Sequence, residues 1–352
     1  MKAAIYYGPG DIRIEEVPRP EAGPEGVVVR VRACGVCPML DLGAWKNWVP
    51  PQVGLAPGHE FCGDVVEVGA KVTAVKEGDR VYGLSFRPCH TCDWCRIGNY
   101  MRCNSWLQGV KGKHGAFAEY YWFPFVTDDN IIKLPDNLSY HELAFIEPLH
   151  LSAGLGKKGK PGDVVVILGQ HLVGLGTVAR LKERGVTKVI TSDISRKRLE
   201  ASREAGADIV VDAVNEDIVS VVMKETAGEG ADVVIQGDER PIAFLQAVSM
   251  VRRSGTVWIA NSYDVDAGAW AGPDGRVYGP ELINLPTSAA IQNAWGTLGT
   301  KKALWMGALE LLQSGKITAK KHVTHVFPLD KIKEAFETAS NPHESIEVIV
   351  EP

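Results

Sequence analysis

Four of the seven cysteines, Cys89, Cys92, Cys95 and Cys103, fall within fifteen residues in the pattern C-x2-C-x2-C-x7-C. Two-residue spacers let neighbouring thiolates converge on one tetrahedral ion, with Zn–S bonds of about 2.3 Å. Four sulfurs saturate zinc and leave no place for a substrate, so this loop reads as a structural staple. An iron–sulfur cluster also takes four cysteines and is the competing reading. A second set is spread more widely: Cys37 in "ACGVCPMLD", His59 and Glu60 in "APGHEFCG", and Glu147 in "FIEPLH". A thiolate, an imidazole and a carboxylate make a mixed site that can keep one coordination position open, as catalytic zinc requires. Taken singly, such a histidine is more often structural and such a glutamate a surface residue; the combination upstream of a nucleotide fold is what suggests chemistry.

That nucleotide fold announces itself in "VVVILGQHLVGLG", a strand, a glycine turn and a helix, framed as Gly169-x-His171-x-x-Gly174. The first glycine allows the tight turn and the last lets helix pack on strand. The middle position is ordinarily glycine, so that backbone can approach a pyrophosphate, and here it is His171. A plain strand–helix turn without ligand is the alternative. Asp193 lies 24 residues after Gly169, in "ITSDISRKRL". A carboxylate there hydrogen-bonds the ribose 2′-hydroxyl and repels a 2′-phosphate, which favours NAD over NADP. Arg196 and Arg198 stand close enough in sequence to oppose that preference.

The elements that must position these residues divide in two. The first ~150 residues contain short β-branched runs such as "GVVVRVRACGV" and "CGDVVEVGAKV", broken by Gly and Pro, a barrel-like composition. From Lys160 strands and helices alternate: "DVVVILG", a helix near Leu175–Arg184, "KVITSD", the helix "SRKRLEASREAG", "DIVVD", "ADVVIQG" and "GTVWIAN". Such alternation implies parallel βαβ units in a doubly wound sheet. At 352 residues, two domains are expected. Hydrophobic content of 45% and charge of 23% are those of a globular chain. Net charge of −5 without a basic stripe argues against a nucleic-acid partner, and no apolar run reaches membrane-spanning length. The start lacks a secretory signal, so a cytoplasmic location is expected, where clustered cysteines bind metal more often than they pair.

In order along nearly the whole chain, "CGVC", "PGHEFCGDVVEVG", "KEGDRVYG", the four-cysteine loop, "GAFAEY", "IEPL" and "VTHVFPLDKIKEAFE" resemble the zinc-dependent medium-chain alcohol dehydrogenases. The nearest look is to the polyol and threonine dehydrogenase branch, which carries glutamate in "EPL". The resemblance implies a GroES-like β-barrel catalytic domain over residues 1–155 and an inserted Rossmann domain over 156–295. Residues 296–352 would complete the barrel domain. It implies Cys37 and His59 as ligands of a catalytic zinc, with Glu60 and Glu147 touching the metal directly or through a water. Cys89, Cys92, Cys95 and Cys103 would hold a second zinc. Gly169, His171, Leu172, Val173, Gly174, Asp193, Arg198, Ala260 and Asn261 would bind NAD, with Val173 by the phosphates and Arg198 flanking the adenine. His171 would donate to a phosphate oxygen at the helix N-terminus. Cys34 and Cys62 match no ligand position and read as packing.

The implied reaction passes hydride between NAD(H) and a secondary alcohol or ketone such as a polyol, cyclic alcohol or amino alcohol. Two alternatives stand beside it: a zinc-retaining reductase of conjugated carbonyl compounds, and a non-catalytic relative that binds zinc and nucleotide. Family members usually place Ser or Thr two residues after the ligand cysteine and a His shortly beyond, to pass a proton to solvent. This chain has Met39 and Leu42 there. A shifted Asp41, Glu147 acting with His150, or different chemistry are the three readings. Trp45 and Trp48 are either pocket roof or ordinary core, and Trp270 and Tyr278 either join the pocket or form an intersubunit hairpin. A homodimer or homotetramer acting on a small molecule is expected.

Overall fold

In the computed structural model the described residues are 1–47, 53–83, 91–96, 115–238, 240–260, 270–271, 277–278, 289–294 and 302–352. They form two compact units. The first comprises Met1–His150, Gly299–Gln313 and Thr318–Pro352; the second comprises Leu151–Leu298 and Ser314–Ile317.

The first unit is built on a seven-stranded sheet. Its strands are β3 (Val27–Gly35), β4 (Glu60–Val68), β5 (Arg80–Gly83), β6 (Tyr120–Phe123), β7 (Ile131–Lys133), β16 (Val323–Pro328) and β17 (Glu347–Glu351). The order is β16-β17-β3-β4-β5-β7, with β6 also on β3. A separate hairpin, β1 (Lys2–Gly8) and β2 (Asp11–Glu16), precedes it. Alternation in "VVVRVRACG" sends Val27, Val29 and Val31 into one core with Phe61, Val81, Phe117, Phe123 and Phe336. Burying each such side chain contributes about 1.5–3 kcal/mol. The short helix α1 (Asp41–Trp45) follows β3, and its Trp45 packs on Phe336 with ring centroids 5.4 Å apart. Trp45 is therefore a wall of the core; Trp48 lies outside the described residues. Helix α2 (Asp93–Arg96) lies in the cysteine loop. Helix α3 (Tyr140–Ala144) opens with a capping box, Ser139 against Glu142, and leads directly into α4 (Ile146–Leu155), which carries Glu147.

The second unit is a six-stranded parallel sheet of β8 (Val164–Leu168), β9 (Lys188–Asp193), β10 (Ile209–Asp212), β11 (Ala231–Gln236), β12 (Val251–Ile259) and β15 (Ala290–Asn293). Its order is β10-β9-β8-β11-β12-β15, with every pairing parallel. Counted within the unit this is 3-2-1-4-5-6, the doubly wound dinucleotide-binding order. Helices α5 (Leu172–Glu183), α6 (Arg196–Ala205), α7 (Ile218–Glu225) and α8 (Pro241–Met250) supply the crossovers. Their starts follow local chemistry: Ser195 caps α6, Asp217 caps α7 through the N–H groups of Val219 and Ser220, and Pro241 opens α8. A short hairpin pairs β13 (Trp270–Ala271) with β14 (Val277–Tyr278). The first unit also carries α9 (Lys302–Gln313), α10 (Ala319–His322) and α11 (Ile332–Ala339). No helix among the described residues is long and apolar enough to cross a membrane.

At the turn before β5, Asp79 accepts from the Lys76 N–H at 3.0 Å and meets Lys133 Nζ at 2.9 Å and Lys76 Nζ at 3.1 Å. Partial burial pulls its pKa up, but the hydrogen bonds from Lys133 and Lys76 outweigh it and hold the carboxyl at about 2, below its ordinary 3.8. Because the folded value is depressed, the stabilisation is complete above pH ~4 and is lost as pH falls toward ~2. Asp79→Asn is expected to remove at most about 2 kcal/mol at neutral pH. The native and variant unfolding curves, measured against denaturant at stepped pH, should converge as the pH is lowered through that window.

Candidate functional site

Cys37 lies in the turn between β3 and α1, while His59 and Glu60 lie at the entry to β4. The β3–β4 pairing sets Gly35 opposite Glu60, which brings the two ends together. One ligand atom each from Cys37, His59 and Glu60 lies within 4.8 Å of the others, close enough to hold one metal ion. Glu147 stands outside that trio. It is buried in the same unit and acts electrostatically on both Cys37 and Glu60.

The electrostatics are one-sided. Burial first, then the charges of Glu60, Asp41 and Glu147, push the Cys37 thiol well up, against a contribution from the Leu40 N–H that contacts its sulfur at 3.4 Å. Burial also pushes Glu60 well up, with Glu347, Glu147 and Asp41 adding to it. Glu147 rises to about 8 through burial and Asp41, and Asp41 to about 7 through burial despite the N–H groups of Cys37 and Gly58. His59 falls to about 4 through burial and the neighbouring His150. Each carboxyl and thiol is thus short of positive charge, and His59 is held neutral with a lone pair available. A divalent cation answers both conditions, and a Cys/His/carboxylate donor set suits zinc.

Asp41 is built into the trio's frame. Its Oδ2 accepts from the Cys37 N–H at 3.0 Å, its carboxylate also accepts from the Gly58 N–H, and its Oδ1 lies 3.9 Å from His59 Nδ1. One carboxylate therefore ties the Cys37 turn to the His59 strand. His150 is buried one turn beyond Glu147, with its Nδ1 on the Glu147 carbonyl. Gly35 matters for lack of a side chain: a Cβ there would lie 2.6 Å from Glu60 Oε2 and 3.1 Å from Glu347 Oε1. Glu347 and Tyr82 belong to none of the motifs that mark the site. Only sheet register, in β17 and β5, brings them to it.

Of the four-cysteine loop, Cys92 and Cys95 are described, at the start and within the short α2, while Cys89 and Cys103 lie outside the described residues. Cys34 and Cys62 are buried, with the Cys62 thiol donating to the Tyr140 carbonyl at 3.1 Å.

In the second unit Gly169 follows β8 with φ +85°, a left-handed conformation, and a Cβ at Gly174 would strike the Gly169 carbonyl. His171 is the N-cap of α5 with extended backbone and no side-chain capping bond, so a histidine fits there without strain. Leu172 is buried and Val173 partly buried; the Val173 carbonyl accepts from Ser152 and Thr177. Asp193 ends β9, and its two oxygens accept from the N–H groups of Gln170 at 2.7 Å and Ser195 at 2.8 Å. The carboxylate is thereby fixed beside the glycine turn. Arg198 is buried at the start of α6, and Ala260 follows β12 with its N–H on the Gln236 carbonyl; Asn261 lies outside the described residues.

Asp41→Ala would leave two N–H groups at the trio without their acceptor. Zinc affinity, measured by chelator competition, is expected to fall about 10–100-fold while far-UV circular dichroism is unchanged.

Two family models match: "Alcohol dehydrogenase GroES-like domain" over residues 23–136 and "Zinc-binding dehydrogenase" over residues 173–262. The erythritol/L-threitol dehydrogenase of Mycolicibacterium smegmatis is 29% identical, across 100% of this chain and 98% of its own. A sorbitol dehydrogenase of Bombyx mori is 30% identical, across 96% of this chain and 95% of its own. A Sinorhizobium meliloti 1021 chain, described as a zinc-binding dehydrogenase and bound to NADP, superposes with a TM-score of 0.81 at 28% identity, covering 100% of this chain and 99% of that one. The barrel-type sheet, the nucleotide sheet and these full-length likenesses agree, and the chain belongs to the zinc-dependent medium-chain alcohol dehydrogenases.

Proposed function

We propose that this alcohol dehydrogenase acts on secondary alcohols of the polyol class, or reduces the corresponding ketones, with NAD(H) as hydride partner. The convergence of Cys37, His59 and Glu60 carries the reading. When bound, zinc supplies Lewis acidity and the nicotinamide accepts or donates hydride. Cys37, His59 and Glu60 hold the metal, and Asp41 sets the spacing of the first two through the backbone. Glu147, outside the trio but in the same buried cluster, is the proton acceptor, and His150 on its carbonyl fixes the turn that presents it. Met39 carries no proton, so that role falls to Glu147 in this chain.

The Asp193 carboxylate, held at the end of β9 by two backbone N–H groups, supports NAD, because a carboxylate at that point of a dinucleotide fold hydrogen-bonds a ribose 2′-hydroxyl and repels a 2′-phosphate. The polyol class is supported by the erythritol and sorbitol dehydrogenases that the chain resembles. A second zinc, on Cys89, Cys92, Cys95 and Cys103, completes the reading.

The test is reduced-cofactor formation by native protein over polyols, cyclic alcohols and amino alcohols, with enals assayed in reverse. Polyols should give the highest kcat/KM, and NADP should serve at least about tenfold less well than NAD. Reduction of enals without oxidation of any alcohol would overturn the assignment. Metal analysis is expected to find two zinc per chain. Glu147→Gln should keep both and lower kcat about 10²-fold or more; loss of one zinc instead would make Glu147 a ligand.

A further inference from the structure

The sheet of the second unit changes its direction of winding at β8. From β8 the chain runs outward to β9 and β10, then returns to lay β11 on the other side. In sheets of this kind ligands bind outside the carboxyl ends of the strands at that point. Two loops meet there. Gln236, the last residue of β11, pairs with Leu168, the last of β8, and the Gly237 N–H donates to the Leu168 carbonyl at 2.9 Å. A Cβ on Gly169 would lie 2.9 Å from the Asp238 nitrogen, so Asp238 sits against the glycine turn itself. Its backbone is fixed, because the fully buried Gln236 donates through Nε2 to the Asp238 carbonyl.

Two carboxylates therefore border one turn, and their partners differ. Asp193 accepts from the backbone N–H groups of Gln170 and Ser195 and keeps its charge. Asp238, 8% exposed, meets the guanidinium of Arg240. Arg240 Nε lies 2.9 Å from Oδ1 and 3.1 Å from Oδ2, and Nη2 lies 2.5 Å from Oδ2. The Arg240 N–H also donates to Oδ1 at 2.8 Å, closing the turn that leads into α8. That turn needs only a side-chain oxygen, and asparagine would serve it equally. The guanidinium pairing needs the charge. A pyrophosphate at the start of α5 would face a bare Asp238 carboxylate across the glycine turn, where poor solvation strengthens repulsion. A two-pronged guanidinium contact cancels that charge.

We infer that Arg240 is a positioning residue for the dinucleotide: by neutralising Asp238 at the end of β11 it keeps the glycine turn open to a pyrophosphate, while Asp193 retains the charge that meets the ribose. This rests on the nicotinamide-cofactor part of the reading above. It gives a role to Asp238 and Arg240, which no motif in the sequence marks.

The experiment titrates NADH into zinc-loaded native protein, Arg240→Gln, Asp238→Asn and the double variant, read by fluorescence, with ADP-ribose and adenosine as competitors. Arg240→Gln is expected to weaken NADH and ADP-ribose about tenfold, less so as salt is raised. Adenosine carries no phosphate, and its binding should be unchanged. Adding Asp238→Asn to Arg240→Gln should restore NADH binding to within about threefold of native, as coupled neighbours do. Asp238→Asn alone keeps the turn and should bind NADH at least as tightly as native protein. Unchanged NADH affinity in Arg240→Gln overturns the inference. So does a double variant as weak as Arg240→Gln, which would mean that Arg240 meets the phosphates itself, and so does an equal loss for adenosine, which would mean a distorted site. If Arg240→Gln does not fold, Asp238→Asn decides: weaker NADH binding overturns the inference, and equal or tighter binding supports it. If native protein binds no NADH, the nicotinamide reading fails on its own. The ADP-ribose comparison then decides the role of the pair, and absence of ADP-ribose binding overturns it too.

Discussion

A thiol and several carboxyl groups are buried together in the first unit, and no cationic side chain is among the described groups that act on them. Glu60, Glu147 and Asp41 each raise the pKa of at least one other member. Groups of this kind stay buried only if they remain protonated or if a cation joins them. The surrounding sheet is organised so that the second solution is available. Strands β3 and β4 bring Cys37 and Glu60 to one end of the barrel, Gly35 leaves room between the carboxyls, and Asp41 couples the turns that carry Cys37 and His59. The apolar core of valines and phenylalanines behind them is what keeps this costly arrangement from relaxing.

The second unit solves a gentler problem by the same means. Its strands are apolar through their length and lie between helices, so its polar groups gather at the strand ends. There the backbone itself engages the Asp193 carboxylate, with Gln170 before the helix and Ser195 after the strand. A charge anchored at two points is held in one place. Fixing it also explains how the glycine turn tolerates His171: the turn is held from the Asp193 side, and the His171 backbone is ordinarily extended.

Much of this is legible in the chain. Period-two valine runs mark the barrel strands, and strand–helix alternation from Lys160 marks the parallel sheet. Ser195 and Asp217 stand where helix caps are required. The helix expected near Leu175–Arg184 begins three residues earlier, because His171 caps it without any side-chain signal a motif would show. In the site, Cys37, His59 and Glu60 are legible because each sits in a short recognisable string. The position of Asp41 suggests a shifted proton relay, and the structure adds what no motif shows, that its oxygens accept from backbone N–H groups. Glu347 gives no signal in the sequence, and Tyr82, although it lies within "KEGDRVYG", carries nothing there that points to the site. Their relation to Glu60 exists only through the pairing of distant strands, and no local pattern encodes register.

The sheet of the first unit has a further consequence, for biosynthesis. Ile349 and Val350 pair with Gly35 and Cys34, so a strand translated after the entire nucleotide-binding segment lies beside one translated near the start. While the ribosome works through the intervening stretch, the β3 edge next to Cys37 has no neighbour on that side, an open template for stray strands. Closing a loop of that length is slow relative to hairpin formation. The nascent chain thus emerges with its Cys37 end unfinished and its nucleotide-binding portion free to fold first, a window in which chaperone capture would affect the yield of native protein.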